Sequence, residues 1–322
     1  MIALLGASGC GKSMTLRSIA GIVKPDRGRI VVDGNTLFDS EKKMNLSLQE
    51  RHTGLLFQNY ALFPNMTVLQ NIRTGARREK DPAKCEALTT AVIESFGLRE
   101  LVQHYPSQLS GGQQQRTALA RILVSAPNIL LLDEPFSALD SHLRFRLEQE
   151  VREVIHGFGK TVVLVSHDRD EVFRLADKIA IMHEGKIERF GSREEVFADP
   201  VTRNAAILTG CKNISRLKKL SERRVFALDW GVELETAQPV GDAEYLGIRM
   251  QDIRFGHDSN SQYCRVVAEI ENPFSWTIML RAEGSEDAIP FGWETDQDTW
   301  RKLRSDTVEI GFPPASLLLL RR

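Results

Sequence analysis

A glycine-rich segment near the amino terminus carries the strongest chemical signal in the sequence. Residues 6–13 read Gly-Ala-Ser-Gly-Cys-Gly-Lys-Ser, which fits the pattern G-x-x-x-x-G-K-[ST]. Glycines let such a loop fold tightly, so that its backbone N–H groups point at phosphate oxygens, and the helix that follows adds its positive end. We expect Lys12 to reach the outer phosphates of a nucleotide and the Ser13 hydroxyl to bind Mg²⁺.

Polar residues at the ends of other apolar runs suit the same chemistry. Asp133 and Glu134 follow one buried run, His167 ends a second, and Gln58 follows a third. At the exposed carboxyl ends of strands they meet the ligand crevice of an α/β sheet. We expect Asp133 to hold Mg²⁺ through its water shell, Glu134 to orient and deprotonate the attacking water, and His167 to contact the γ-phosphate.

The sequence also predicts the strands and helices that must position these residues. Continuous apolar runs favour strands buried on both faces of a mostly parallel sheet covered by helices. The clearest of these runs are Ile2–Leu5, Ile129–Leu132 and Thr161–Val165. Helical periodicity at Pro82–Phe96 and Gln113–Leu123, without intervening strand patterns, predicts a helical subdomain inserted at about residues 64–125.

The composition changes after about residue 205. All four tryptophans lie beyond it, and short β-rich stretches such as Arg265–Ile270 and Trp276–Arg281 alternate with turns. We therefore predict an α/β domain at residues 1–205 and a small all-β domain at 206–322. The basic stretch Lys212–Arg224 is interpreted as a solvated linker, with a contact to anionic lipid as the alternative.

Composition excludes several classes of protein. The formal net charge of -1 over 322 residues argues against a partner held by bulk electrostatics, such as duplex DNA. The four cysteines are far apart and form no C-x-x-C pair, which disfavours a disulfide framework or a cysteine-bound metal. Because no apolar run approaches the roughly 20 residues needed to span a bilayer, we expect any membrane role to come through a partner.

The segment Leu109-Ser-Gly-Gly-Gln113 adds a second glycine-led helix start. A bare helix N-terminus can bind anionic phosphate. One γ-phosphate does not need two such helices from one subunit, so a second copy of the chain could supply this one.

In order along the chain, the phosphate loop, Gln58, this Ser-Gly-Gly segment, Asp133-Glu134, Ser137-Ala-Leu-Asp140 and His167 resemble the ATPases of ABC transporters. The resemblance covers about residues 1–205 and implies a P-loop NTPase core that binds ATP and Mg²⁺. It also implies a head-to-tail dimer in which each ATP lies between the phosphate loop of one copy and the Ser-Gly-Gly loop of the other. Ser110 and Gly112 would then act in trans, Asp140 would bridge the copies, and the Gln58 loop would sense a permease.

The predicted site residues fall into three groups by role. The catalytic residues are Glu134, His167 and Gln58, and the Mg²⁺ ligands are Ser13, Gln58 and Asp133. The nucleotide-binding residues are Gly6, Ser8, Gly9, Cys10, Gly11, Lys12, Ser13, Met14, Ser110, Gly111, Gly112, Gln113 and Asp140.

The sequence departs from the family in one respect. The family carries an aromatic residue that stacks on adenine in strands upstream of the phosphate loop, whereas this sequence begins five residues before Gly6. A truncated chain, a misassigned start or another way of holding adenine would each account for this. Since base–aromatic stacking contributes about 1–3 kcal/mol, we expect weaker ATP binding than in a chain extended upstream.

Three segments resemble oxyanion importers, especially those for molybdate and their sulfate relatives: Leu37–Ser40, Phe57–Asn65 and Leu208–Asn213. Leu246–Ile253 is similar to the accessory β-domain of the TOBE/MOP type that follows the ATPase in such importers. This resemblance favours molybdate uptake through a separate integral membrane permease at the cytoplasmic face of the membrane, served indirectly by an extracytoplasmic substrate-binding protein. Sulfate, polyamine, iron or sugar import, and a regulatory protein with a vestigial ATPase, are the alternatives.

Two other classes of protein compete with a transporter subunit. An ABC ATPase of DNA repair or of ribosomes usually carries tandem ATPase halves, long coiled coils or basic arms, and this sequence has none of these patterns. A free-standing P-loop kinase or GTPase would leave the Ser-Gly-Gly segment without a role, and no N-K-x-D motif for guanine is present. We therefore predict no nucleic-acid partner.

Overall fold

The structure is a computed structural model that describes residues 1–76, 79–137, 141–256 and 260–322. The chain divides into two compact units, Met1–Arg193 and Glu194–Arg322. The strands of the first unit are β1 (Ile2–Gly6), β2 (Arg29–Val32), β3 (Asn35–Asp39), β4 (Met44–Asn45), β5 (Thr53–Leu56), β6 (Ile129–Asp133), β7 (Thr161–Ser166), β8 (Lys178–His183) and β9 (Lys186–Ser192). Its helices are α1 (Lys12–Ala20), α2 (Leu48–Arg51), α3 (Val68–Gly75), α4 (Pro82–Ser95), α5 (Gly111–Leu123), α6 (Ser141–Phe158) and α7 (Arg169–Leu175).

The main sheet of the first unit has the strand order β5-β6-β7-β1-β8-β9. All neighbours pair in parallel except β8 and β9, which form the antiparallel edge. Strand β6 is buried along its whole length, as its apolar sequence Ile-Leu-Leu-Leu requires. Because the strands β5, β6, β7 and β1 run in the same direction, the residues that follow them meet at one edge of the sheet.

A helical region interrupts this α/β unit. The described residues between 64 and 125 contain α3, α4 and α5 and no strand. Thr67 begins α3 with a capping box, in which its hydroxyl accepts from the backbone of Gln70 and the Gln70 side chain accepts from the backbone of Thr67. Close packing holds α3 against α5, since a Cβ atom at Gly75 would lie 1.9 Å from the carbonyl oxygen of Arg121.

The elements from residue 193 onward are mostly antiparallel strands. They are α8 (Arg193–Ala198), α9 (Arg203–Leu208), β10 (Asn213–Lys219), β11 (Arg224–Ala227), β12 (Val232–Glu235), β13 (Tyr245–Ile248), β14 (Arg254–Phe255), β15 (Ser261–Glu271), β16 (Ser275–Ala282), β17 (Phe291–Asp296), α10 (Gln297–Leu303), β18 (Thr307–Gly311) and β19 (Leu318–Leu320). They form two sheets, in the orders β12-β11-β10-β13-β19 and β14-β18-β15-β16-β17.

The two sheets of the second unit share one apolar core. Trp230, Phe291 and Phe312 pack together in it, with ring centroids 5.3–6.1 Å apart. A buried asparagine also joins the sheets. The Asn213 side chain of β10 donates to the carbonyl of Gly292 in β17 at 2.7 Å and accepts from the N–H of the same residue at 2.8 Å.

The predicted fold class is confirmed: a mostly parallel α/β core with a helical insertion, followed by an all-β region. The interpretation of Lys212–Arg224 as a solvated linker is wrong, because β10 occupies Asn213–Lys219 in the middle of its sheet. Its inward positions Asn213 and Ser215 are polar, so the strand lacks the apolar alternation by which it could be recognised. Among the described residues, no helix combines the length and the apolar character needed to cross a bilayer.

Candidate functional site

The phosphate loop connects β1 to α1 through two glycines in the left-handed region. Gly9 has φ +83° and Gly11, the residue before the helix, has φ +103°. L-residues with a side chain rarely adopt these angles. Lys12 is buried at 5% exposure, and its Nζ atom donates to the carbonyl oxygens of Gly6 at 2.7 Å and Ala7 at 2.8 Å. The ammonium group therefore lies inside the curl of the loop.

The loop is supported from behind by β8 and the turn after it. A Cβ atom at Gly6 would lie 2.4 Å from the Met182 carbonyl oxygen, so the two backbones are in direct contact. The N–H of Gly185 donates to the carbonyl of Cys10 at 3.1 Å. Cys10 is buried, with Sγ 3.8 Å from Lys12 Nζ. One side of the loop is thus fixed by packing, whereas Ser8 is exposed.

Two oxygen atoms meet where α1 begins and β6 ends. The Ser13 hydroxyl donates to Asp133 Oδ1 at 2.7 Å. Asp133 is only 6% exposed, and Ser13 is half-buried. A hydroxyl beside a carboxylate is a donor set for hard cations, which prefer oxygen ligands. Met14, the next residue of α1, is 52% exposed.

Glu134 and His167 face each other across neighbouring strand ends. Glu134 Oε1 lies 3.3 Å from His167 Nδ1, and the side chains are 21% and 57% exposed. Glu134 has φ +47°, a strained value for a residue with a side chain, and its N–H donates to the carbonyl of Val165 at 3.0 Å. Such local strain is typical of functional sites.

Gln58 joins this group through a residue that the sequence reasoning did not select. Its amide nitrogen donates to the Ser137 hydroxyl at 3.1 Å, and that hydroxyl donates to the carbonyl of Glu134 at 3.0 Å. Gln58 is exposed. Ser137 is the first residue of the Ser137–Asp140 segment that resembles the ABC family, so this resemblance could have identified it as a site residue.

The Ser-Gly-Gly segment forms the N-terminus of α5. Ser110 caps the helix with a capping box in which Gln113 is the partner. A Cβ atom at Gly112 would lie 2.9 Å from the end of the Leu147 side chain of α6, so α5 and α6 are closely packed at this point. Gly111 is exposed. Among the described residues, no hydrogen bond or ion pair connects this segment to the phosphate loop. Asp140 lies outside the described residues.

At one edge of the sheet the structure thus brings together the phosphate loop, Ser13 with Asp133, Glu134 with His167, and Gln58. It does not bring the Ser110–Gln113 segment to them within one chain. A glycine loop that encloses an ammonium group, with a carboxylate and a histidine at the next strand ends, defines a nucleoside-triphosphatase of the P-loop class.

Comparison with known proteins identifies the family. The ABC transporter family matches residues 1–137. The spermidine/putrescine import ATP-binding protein PotA of Vibrio cholerae is 35% identical over 277 residues, which cover 84% of this chain and 72% of PotA. The sulfate/thiosulfate import ATP-binding protein CysA 2 of Chromobacterium violaceum is 37% identical over 294 residues, which cover 89% of this chain and 78% of CysA 2.

A solved structure agrees with these sequence matches. The dimeric post-hydrolysis state of the ATP-binding cassette MJ0796, bound to ADP and Pi, has a TM-score of 0.51 and 30% identity, covering 60% of this chain and 85% of that one. The chain belongs to the ATP-binding proteins of ABC transporters, which are ATPases coupled to transport.

Proposed function

We propose that this chain is the subunit that binds and hydrolyses ATP for an importer, working as a pair with a second copy. One observation carries the proposal: Lys12, the Ser13–Asp133 pair and the Glu134–His167 pair converge at one edge of the sheet. Phosphoryl transfer to water needs these three functions, which are a phosphate cradle, a cation site and a base.

The residues present fit ATP with Mg²⁺. Backbone N–H groups of the loop and the start of α1 provide donors for phosphate oxygens, and the Lys12 ammonium adds positive charge at their centre. Ser13 Oγ and Asp133 would hold the cation, Asp133 through its water shell, and Gln58 is the third proposed ligand. A Mg²⁺ ion held there would neutralise the negative charge of the phosphate oxygens.

Glu134 is the proposed general base. Its carboxylate accepts the proton of the attacking water. His167, after the end of the neighbouring strand β7, holds that carboxylate and contacts the γ-phosphate. The left-handed backbone of Glu134 is fixed by the hydrogen bond from its N–H to the carbonyl of Val165. Gln58 reaches the same backbone through Ser137 and couples its own loop to the base.

A second copy of the chain completes the site in this proposal. Among the described residues, the N-terminus of α5 at Ser110–Gln113 forms no hydrogen bond or ion pair with the phosphate loop of its own chain, but it offers N–H groups that suit phosphate. The MJ0796 structure, to which this chain is similar, is described as dimeric. We assign Ser110, Gly111, Gly112 and Gln113 to the γ-phosphate of the nucleotide bound by the partner copy, and Asp140 to the contact between copies.

The proposed partner in the membrane is an integral permease that holds the pair at the cytoplasmic face and receives its motion through the Gln58 loop. A substrate-binding protein would act on the other side. PotA and CysA 2 are named for polyamine and for sulfate or thiosulfate import, so these are the substrate classes that the comparisons favour. Molybdate, the favoured prediction, is supported by the quoted sequence segments alone. Uptake of labelled polyamine, sulfate and molybdate by a deletion strain would separate the three.

ATP hydrolysis by the purified chain, measured over a range of protein concentrations, tests the catalytic proposal. We expect a rate that rises faster than linearly with concentration, because each site needs two copies. Glu134→Gln should lower the rate about 100-fold or more. Glu153→Gln, an exposed glutamate of α6, is the matched control and should leave the rate unchanged. A Glu134→Gln chain as active as the parent would refute the role of Glu134 as the base.

A further inference from the structure

A cluster of charged side chains lies behind His167, between α6 and α7. Arg174 forms a two-pronged ion pair with Glu148, with Nε–Oε2 and Nη2–Oε1 distances of 2.7 and 3.0 Å. Arg144 Nη1 donates to Asp168 Oδ2 at 3.1 Å. Glu148 is fully buried, at 0% exposure. Each of these two arginines therefore offsets one carboxylate of the cluster.

Glu171 is the third carboxyl group of this cluster, and it is 4% exposed. It accepts a hydrogen bond from the Ser166 hydroxyl at 3.0 Å, while its other oxygen, Oε1, has no hydrogen-bond partner in the part of the chain that the structure describes. Burial, and then the nearby charges of Asp168 and Glu148, raise the pKa of Glu171 to about 8 against the opposing effects of Ser166 and Arg144. At neutral pH this carboxyl group therefore keeps its proton.

Ser166 connects Glu171 to the backbone around His167. The Ser166 hydroxyl donates to Glu171 and accepts from the N–H of Asp168 at 2.9 Å, so it bridges across the intervening His167. Asp168 in turn caps α7, accepting from the N–H groups of Asp170 and Glu171. One hydroxyl thus fixes the chain on both sides of the histidine, and Glu171 holds that hydroxyl in place.

We propose that Glu171 is a positioning residue which, through Ser166, aims the imidazole of His167 at the carboxylate of Glu134. The side chain of His167 is more than half exposed, so little packing fixes its direction. The hydrogen bonds at the two residues that flank it supply that constraint. The effect of Glu171 on the rate of ATP hydrolysis rests on the proposed function. The contact between His167 and Glu134 does not, because it can be measured without ATP turnover.

The charge state of Glu171 matters to this role. Among the described residues, the groups that act on it are Ser166 of β7, Asp168 at the start of α7, and Arg144 and Glu148 of α6. Loss of its proton would add a third negative charge to a cluster with two paired carboxylates. The Ser166 hydroxyl is the donor in its bond to Glu171, and Glu171→Gln keeps an oxygen that can accept from it without adding a charge to the cluster.

The test measures the coupling between His167 and Glu134 by NMR on the full chain with isotope-labelled histidine. The His167 ring signal is assigned by its loss in His167→Gln. In the parent chain, Glu134→Gln should displace this signal, because the carboxylate contacts the ring. The displacement should persist in Glu171→Gln and disappear in Glu171→Leu and in Ser166→Ala. The serine variant removes a single oxygen atom, so it can be measured even if Glu171→Leu does not fold. A displacement retained in Ser166→Ala or Glu171→Leu, or absent in the parent, would overturn the proposal.

Steady-state ATP hydrolysis gives the second readout. Glu171→Leu and Ser166→Ala should lower kcat about fivefold or more with little change in KM, while Glu171→Gln restores kcat to within about twofold of the parent. An equal loss of kcat in all three variants would indicate a purely structural role and contradict the proposal. If Glu134→Gln itself did not slow hydrolysis, the proposed function would fail, and the NMR coupling would still decide the role of Glu171.

Discussion

The hydroxyl of Ser13 donates to Oδ1 of Asp133 across 2.7 Å, although 120 positions separate the two residues in the chain. The contact exists because β6 lies two strands from β1, with β7 between them, and α1 returns over that part of the sheet. Two oxygens at this distance in a largely buried place are a ready pair for a divalent cation.

The first prediction concerns this pair. Ser13→Ala should abolish most of the gain in ATP affinity that Mg²⁺ provides, because the cation loses one of its protein oxygens, and we expect a loss of about tenfold. Titration of a fluorescent ATP analogue with and without Mg²⁺ measures it. Ser13→Thr keeps the hydroxyl and serves as the control. Equal Mg²⁺ dependence in Ser13→Ala and the parent would rule out Ser13 as a ligand.

The second prediction concerns stability and pH. In the folded chain the pKa of Glu171 is raised from its ordinary 4.5 to about 8, so the parent loses stability as the pH rises through this interval. Glu171→Gln lacks this loss and should be the more stable chain by about 2–4 kcal/mol near pH 8, with a smaller difference near pH 5. Urea unfolding of both chains at several pH values gives the difference, with Glu153→Gln as the control. A difference that does not change with pH would show that Glu171 is not protonated in the folded chain.

The third prediction concerns the far end of α1. Arg51, at 2% exposure, donates to the carbonyls of Ser18, Ile19 and Leu46 and to the side chain of Asn45. Arg51→Met removes these four hydrogen bonds from a part-buried place, which should cost about 2–4 kcal/mol of unfolding free energy. Chemical denaturation of the whole chain measures this cost.

The matched control for Arg51 is Arg17→Met. Arg17 lies on the exposed face of the same helix, so its loss should change stability by less than about 0.5 kcal/mol. Similar losses in the two variants would mean that the hydrogen bonds of Arg51 contribute nothing beyond its charge.

The fourth prediction concerns the second unit. Asn213→Ala should destabilise it by about 2–3 kcal/mol, because the N–H and carbonyl of Gly292 lose their partners in a buried place. All four tryptophans lie in this unit, so tryptophan fluorescence reports its unfolding directly. Ser221→Ala, at an exposed position, is the control. An unchanged fluorescence midpoint in Asn213→Ala would show that the asparagine does not hold the two sheets together.

Much of the α/β core could be predicted from local sequence because its strands are continuous apolar runs. The apolar runs that predict β1, β6 and β7 end within one residue of the observed strand ends. The acids after β6 and the histidine after β7 follow from that reading, since parallel strands place such residues at one edge. Strand β10 was missed, because Asn213 and Ser215 occupy its inward positions and hide the alternation.

The contacts that hold the site in place could not be predicted in this way. The link from Gln58 through Ser137 to Glu134 joins residues up to 79 positions apart, and the burial of Arg51 depends on hydrogen bonds to α1, 32 and 33 positions earlier. A serine before a histidine and a glutamate five residues later look ordinary in the sequence. Only the turn into α7 and the proximity of α6 make Ser166 and Glu171 partners.

Two positions of the phosphate loop favour glycine for different reasons, and random replacement would distinguish the two reasons. At position 6 the obstacle is the Met182 carbonyl, so every larger side chain collides whatever its chemistry. At position 9 no protein atom would lie within 4 Å of a Cβ atom, and the φ of +83° is what favours glycine there. A library at position 6 should return glycine alone, whereas one at position 9 should also return asparagine, which tolerates that backbone best. The same amino acid thus records a steric demand in one place and a conformational one three residues later.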